Sequence, residues 1–416
     1  QERGLQVLQS RALEIMLGGD NVLLTGAAGS GKSYSIKEFV KEAKKHGKRI
    51  SITATTGIAA THIGGSTIHS WSGIGIGNKL PPGFIYTISE VRRKAIKKVD
   101  VLIIDEISMM SDYVFDMVNE AMKLIREDDR PFGGLQIILV GDFFQLPPVN
   151  KSGEGKFVTD SKSWGELDMK VCYLEEQHRA EDLRLQEILN AMRDGSLKQR
   201  HLNYLKERWI PLPTDDITKI YTLNIDVEHE NNKRLRELPG DIHYFLRTSR
   251  GNSFDQIEHL QKNILAPEVL VLKTGALVMA VKNDPSGRFA NGSTGRVERF
   301  TKAGLPVVRF DNGSSITVGP QEWELRKNDR VSAVITQIPL RLAYAITVHK
   351  SQGMTLDAAE VDLSKAFVPG MGYTALSRVK NFNTLYIKGL NQRSLMMSKK
   401  AHQINDELLK RSRELE

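Results

Sequence analysis

The octapeptide Gly26-Ala27-Ala28-Gly29-Ser30-Gly31-Lys32-Ser33 constrains this chain more than any other stretch. Glycines spaced ahead of a Gly-Lys-Ser ending form the pattern of a phosphate-binding loop. The flanks fit that pattern. Asn21 to Thr25 is short and apolar and reads as a buried strand, and Ser33 to Val40 reads as a helix with one apolar face. Gly26, Gly29 and Gly31 let the backbone bend so that N–H groups along the loop, Ala28 and Ser30 included, face an anion. The helix start adds the positive end of its dipole. In such a loop Lys32 reaches the β- and γ-phosphates of a nucleotide, and the Ser33 hydroxyl ligates Mg²⁺. ATP and Mg²⁺ are the expected cofactors, and an α/β fold is the expected frame.

The rest of the chain supplies acids where such a site needs them. Val101 to Ile104 is an apolar strand ending in Asp105-Glu106. Asp105 is placed to complete the Mg²⁺ site, and Glu106 to orient or activate the attacking water. Residues 135–142 form another strand, followed by Phe143-Phe144-Gln145-Leu146-Pro147-Pro148. Gln145 can sense a γ-phosphate, and the two prolines stiffen a loop suited to act as a lever. A second strand lies at 49–54. The glycine-dense stretch 64–85 predicts loops and a small excursion from the core. The chain changes domain around 165–225, where Pro211-Leu212-Pro213 breaks a helical region. From about 270 to 335, short apolar runs alternate with Asn-Gly and Asp-Asn-Gly turns, a pattern of a small barrel or sandwich. An α/β pattern resumes afterwards, so this β region reads as an insertion. A charged helix is expected near the end, over 394–416.

A chain of 416 residues is too long for one ordinary core. Its formal net charge of +8 points a nucleotide-binding protein toward a polyanion, with nucleic acid the first choice. The single cysteine, Cys172, excludes an internal disulfide and reads as a small buried hydrophobe in a reducing compartment. No apolar run reaches membrane-spanning length, and the start carries no signal-peptide pattern. His69 and His349 lack a second ligand at a suitable spacing, so no metal beyond Mg²⁺ is expected.

Taken in order, Gly26–Ser33, Ala54–Ala60, Gly64–Trp71, Asp105–Met110, Gly141–Val149, Gln177–Arg179, Val348–Leu356 and Tyr373–Val379 resemble the motifs of superfamily-one DNA helicases of the Pif-one type. RecD-type and Dda-type helicases share several of these motifs. The resemblance implies two RecA-like domains around one ATP, at 1–170 and at 171–270 with 336–416. It further implies a strand-separating excursion at 64–85 and a Src-homology-three-like β-barrel at 271–335. Gln9 corresponds to the adenine-reading glutamine, and Arg179 and Arg378 to the arginines that reach the γ-phosphate. Gln352 and Gly353 fall in the nucleotide site. Thr55, Thr56, Gly57, Thr67, His69, Thr347, His349, Lys350 and Ser351 fall in the segments that grip single-stranded DNA, while Trp71 reads as core. Two departures are mild: Ser30 stands where many relatives have threonine, and Thr55 where many have proline.

The activity so implied is ATP-dependent 5′-to-3′ translocation on single-stranded DNA, with unwinding of duplex and G-quadruplex DNA. The implied partners are single strands and single/double-strand junctions, bound by a monomer or a DNA-induced dimer. The implied place is the cytoplasm of a bacterium, or the nucleus or mitochondrion of a eukaryote. Two alternatives stay open, a RecD- or Dda-type helicase and a nucleic-acid translocase or switch that does not unwind.

Overall fold

The computed structural model describes residues 2–56, 59–60, 65–75, 77–150, 153–174, 182–214, 217–251, 253–262, 264–289, 293–310, 313–327 and 330–415. Gly57, Gly64 and Arg179 lie outside the described residues.

Six parallel strands make the first sheet, in the order Ser66–Thr67, Ile50–Ala54, Val101–Asp105, Gln136–Gly141, Asn21–Gly26 and Met169–Leu174. A parallel sheet is covered on both faces, which explains its near-continuous apolar strands. Alternate side chains feed two cores. Val22, Leu24, Ile103 and Ile138 pack against Ala12, Met16, Phe39 and Ala43 from helices Glu2–Leu17 and Lys32–Lys45. Leu23, Leu102, Ile104 and Ile137 pack against Val114, Phe115, Val118 and Met122 from helix Asp112–Arg126. Cys172 joins the first of these cores, and burial pushes its thiol up to about 11.

Met169–Leu174 pairs with Asn21–Gly26 along its whole length, so the expected boundary at 170/171 falls inside a strand. Helix Leu183–Arg193 then enters the core of a second parallel sheet, ordered Ala345–Thr347, Thr218–Tyr221, Ala359–Leu363 and Leu385–Leu390. Phe144 and Leu146, from the loop after Gly141, are buried in this second core. The stiff loop therefore inserts from one sheet into the other half.

The β region is wider than the sequence predicts. Antiparallel strands run from His243 to Leu342, in a five-stranded sheet, a three-stranded sheet and a two-stranded pair. The five-stranded sheet contains Leu277–Ala280, Thr294–Phe300, Pro306–Phe310, Ser315–Thr317 and Leu340–Leu342. Helix Phe254–Lys262 covers the three-stranded sheet, with Leu260 packed on Ala333 and Ile335. Helix Lys399–Arg413 was expected to belong to the second domain, yet it returns to the first sheet. Ile404 and Leu408 join the Phe115 core, Tyr173 donates to Asn405 Oδ1 at 2.7 Å, and Arg411 donates to the Met169 carbonyl at 2.7 Å. Ala401, one turn earlier, packs in the second core, so this helix spans both halves.

Candidate active site

The phosphate-binding loop joins Asn21–Gly26 to helix Lys32–Lys45, as its sequence requires. Gly26, Gly29 and Gly31 all have positive φ, and a Cβ at Gly26 would collide with the Leu174 carbonyl oxygen. Lys32 Nζ donates to the Gly26 and Ala27 carbonyls at 2.9 and 2.8 Å. Burial lowers the Lys32 pKa, while Asp142, Glu106 and Asp105 pull it back up. Gln9 Nε2 lies 3.5 Å from the Ser30 carbonyl, which sets this glutamine against the loop.

The apolar strand Val101–Asp105 delivers both acids to the loop's side of the sheet. Burial, followed by the charge of Glu106, pushes the Asp105 carboxyl up to about 7. Its Oδ1 accepts the Glu106 N–H at 2.8 Å. Burial also raises the Glu106 pKa, opposed by Arg378, by the Gln352 amide and by Lys32. Glu106 adopts φ 54°, ψ 43°, a left-handed backbone that costs a non-glycine residue about 1–3 kcal/mol and persists only where neighbours hold it. Thr55 Oγ1 donates to the Glu106 carbonyl at 3.0 Å, and Gln352 Nε2 to Glu106 Oε2 at 2.9 Å.

The second half of the site comes from the second sheet. Arg378, 4 % exposed, donates to the Thr374 carbonyl at 2.9 Å, the Met354 carbonyl at 3.2 Å and Ser377 Oγ at 2.8 Å. Its charge acts on Glu106 across the interface. Gly353 follows Gln352 with φ 78°, the left-handed turn that glycine favours.

Among the described residues of the expected site, three buried side-chain atoms lack a hydrogen-bond partner: Ser30 Oγ, Gln145 Oε1 and Gln352 Oε1. Buried polar atoms are normally paired, so orphans gathered around a phosphate-binding loop suit a polar ligand. Ser33 stands in the first turn of the helix that follows the phosphate loop, and Asp105 ends the strand beside it. Among the described residues no cluster of three or more His, Cys, Asp or Glu could hold a metal.

Sequence reasoning missed a buried group at the interface. Arg193, the last residue of helix Leu183–Arg193, donates to Asp142 Oδ1 and Oδ2 at 2.7 and 2.8 Å, to Tyr373 at 2.9 Å and to Tyr173 at 2.6 Å. Tyr373 donates to Asp142 Oδ2 at 2.8 Å and accepts the Ala28 N–H of the phosphate loop at 3.3 Å. The two halves thus meet through a closed ionic network that touches the loop itself. The sequence signal was slight: Asp142 directly follows a strand, and Arg193 ends a charged helix.

The expected DNA-gripping residues lie at the carboxyl ends of strands in both sheets. In the first half, Thr55 and Thr56 follow Ile50–Ala54, and Thr67 ends Ser66–Thr67. Thr56 Oγ1 accepts the Ala59 N–H at 3.2 Å, and Thr67 Oγ1 accepts the Ser70 N–H at 3.1 Å, ahead of His69 in the same turn. In the second half, Thr347 Oγ1 accepts the Lys350 N–H at 3.2 Å, and Ser351 Oγ donates to the Val348 carbonyl at 2.7 Å. These hydroxyls shape the turns. Burial, with Arg341 adding to it, lowers Lys350 to about 8, and burial lowers His349, which stacks on Phe367. Trp71 packs against the first-sheet core and donates to Ser51 Oγ at 3.1 Å.

A family model described as PIF1-like helicase matches residues 7–201. An ATP-dependent DNA helicase Pif1 from a Psychrobacter species is 36% identical over 453 residues, covering 94% of this chain and 69% of that protein. A crystal structure of Pif1 helicase from Candida albicans superposes with a TM-score of 0.87 at 32% identity, over 96% of this chain and 98% of that one. A Pif1 helicase from Bacteroides in complex with ADP-AlF3 and ssDNA gives a TM-score of 0.77 at 28% identity, over 97% and 96% of the two chains.

Proposed function

This chain belongs to the PIF1-like helicase family, and we infer that it is an ATP-dependent DNA helicase that tracks single-stranded DNA 5′ to 3′ and separates duplexes. The observation that carries the reading is the contact of Gln352 and the charge of Arg378 with Glu106. A loop of the second half thereby reaches the acid that stands beside the phosphate loop of the first.

The chain's own residues divide the work. The loop N–H groups and Lys32 bind the phosphates, Glu106 takes a proton from the attacking water, and Gln145 orients it. Arg378, with Arg179 as its counterpart, spreads charge relief over the transferring phosphoryl oxygens. Mg²⁺, when bound through Ser33 and Asp105, supplies further neutralisation of phosphate charge. The grips at Thr55–Gly57, Thr67 and His69 and at Thr347 and His349–Ser351 alternate in hold, so that opening and closing of the two halves steps the protein along one strand. Breaking a base-pair step costs roughly 1–2 kcal/mol, well within one hydrolysis event. We read the five-stranded antiparallel sheet as a Src-homology-three-like barrel and the 64–85 excursion as the element that splits the strands. A single chain completes the ATP site in this reading, and pairing of two chains at a junction belongs to the DNA-bound state.

Lys32→Ala tests the site. DNA-stimulated ATP hydrolysis is expected to fall by about 10²- to 10³-fold, since the lysine serves the charge that develops on the phosphates. Hydrolysis at the wild-type rate would remove the assignment.

A further inference from the structure

Glu106 is held at both ends, by a residue of the first DNA grip and by the residue that follows the second. On the main-chain side, Thr55 donates its hydroxyl to the Glu106 carbonyl at 3.0 Å and its N–H to the Asp105 carbonyl at 3.3 Å. Thr55 opens the first grip. On the side-chain side, the Gln352 amide donates to Glu106 Oε2 at 2.9 Å across the interface. Gln352 is 4 % exposed, and among the described residues its Oε1 has no hydrogen-bond partner, so the bond to Glu106 anchors this side chain.

Gln352 also moves with the second grip. The Gln352 N–H bonds the His349 carbonyl at 3.4 Å, and Ser351 N–H bonds the Thr347 carbonyl at 2.9 Å. Lys350 N–H bonds Thr347 Oγ1, and Ser351 Oγ bonds the Val348 carbonyl. Residues 347 to 352 are one hydrogen-bonded turn. A phosphate drawn onto Thr347, His349 or Lys350 cannot shift them without shifting Gln352.

A general base accepts the water's proton on a carboxylate oxygen, and a hydrogen bond donated to that oxygen weakens it as a base. We propose that Gln352 is a DNA-responsive brake. Its amide holds Oε2 of the Glu106 carboxylate, and strand binding at 347–351 withdraws the amide so that this oxygen can serve the water. Gln352 acts through Glu106 and is a positioning residue. The proposal rests on the helicase reading and names how DNA regulates that same site.

The test uses the full chain with Gln352→Leu, which keeps the volume and removes the amide, and Gln352→Asn, which withdraws it by one methylene. Steady-state ATP hydrolysis is measured with and without saturating oligo-dT, giving kcat and KM for ATP in each case. The DNA-free kcat is expected to rise about tenfold in both variants, part of the 10²–10⁴ that a positioned base supplies, so the DNA stimulation ratio falls by a similar factor. A merely structural role would lower the DNA-free rate or raise KM instead. A DNA-free kcat that is unchanged or lower in both variants overturns the brake. If the wild-type enzyme itself shows no stimulation by oligo-dT, the helicase reading fails and the brake falls with it. If the wild type is stimulated and both variants keep its ratio, only the brake fails.

Discussion

Replacing Arg378 with alanine is expected to lower DNA-stimulated ATP hydrolysis by about 10³- to 10⁵-fold while nucleotide binding stays within a few-fold. The residue ends the Met371–Leu376 helix region and is held by the Thr374 and Met354 carbonyls and by Ser377 Oγ. Those contacts fix a buried cation of the second half whose field reaches Glu106 in the first. Only when the halves close does that charge serve the phosphoryl group, so its loss appears in kcat more than in binding. Lysine is expected to rescue little, because a point charge does not reproduce the planar fork. The check is kcat with saturating single-stranded DNA beside a nucleotide titration. A loss below tenfold would leave Arg378 as a brace for its own turn.

Glu106→Gln is the second large effect. The amide preserves shape and an acceptor oxygen toward Gln352, and it abolishes the base, so kcat is expected to fall by about 10²- to 10⁴-fold. Binding of ATP and of single-stranded DNA is expected to persist, because neither the phosphate loop nor the grips contain this side chain. Single-turnover hydrolysis with nucleotide and DNA binding measured on the same sample separates the two. Equal losses in binding and turnover would instead mean that the left-handed backbone at Glu106 needs its carboxylate to hold, since the Thr55 bond alone would not keep that conformation.

What could be read from the sequence was local. A phosphate-binding loop works through backbone N–H groups at fixed spacing, so Gly26 to Ser33 announced itself together with its strand and helix. The acids at the end of Val101–Asp105 were legible because a buried parallel strand is an unbroken apolar run that stops abruptly. Long-range pairing was not legible. Gln352 and Glu106 lie 246 residues apart, and Tyr373 and Asp142 lie 231 apart, so no periodicity links them. Arg193 looked like one more charge on a charged helix, and only its burial against Asp142 sets it apart. The early β strands His243–Leu246 and Thr248–Gly251 went unseen because the first puts apolar Tyr244 and Leu246 on its exposed side, so its polarity does not follow its burial, and the second is exposed throughout. Met169–Leu174 read as the start of a new domain because sequence order hides that it closes the edge of the first sheet.

The most direct test of the central claim is ATP-dependent strand separation on two matched duplexes, one with a 5′ single-stranded tail and one with a 3′ tail. The protein is expected to unwind the 5′-tailed duplex alone. Unwinding of the 3′-tailed duplex alone would contradict the direction of travel, and DNA-stimulated hydrolysis with neither duplex opened would contradict the helicase reading itself.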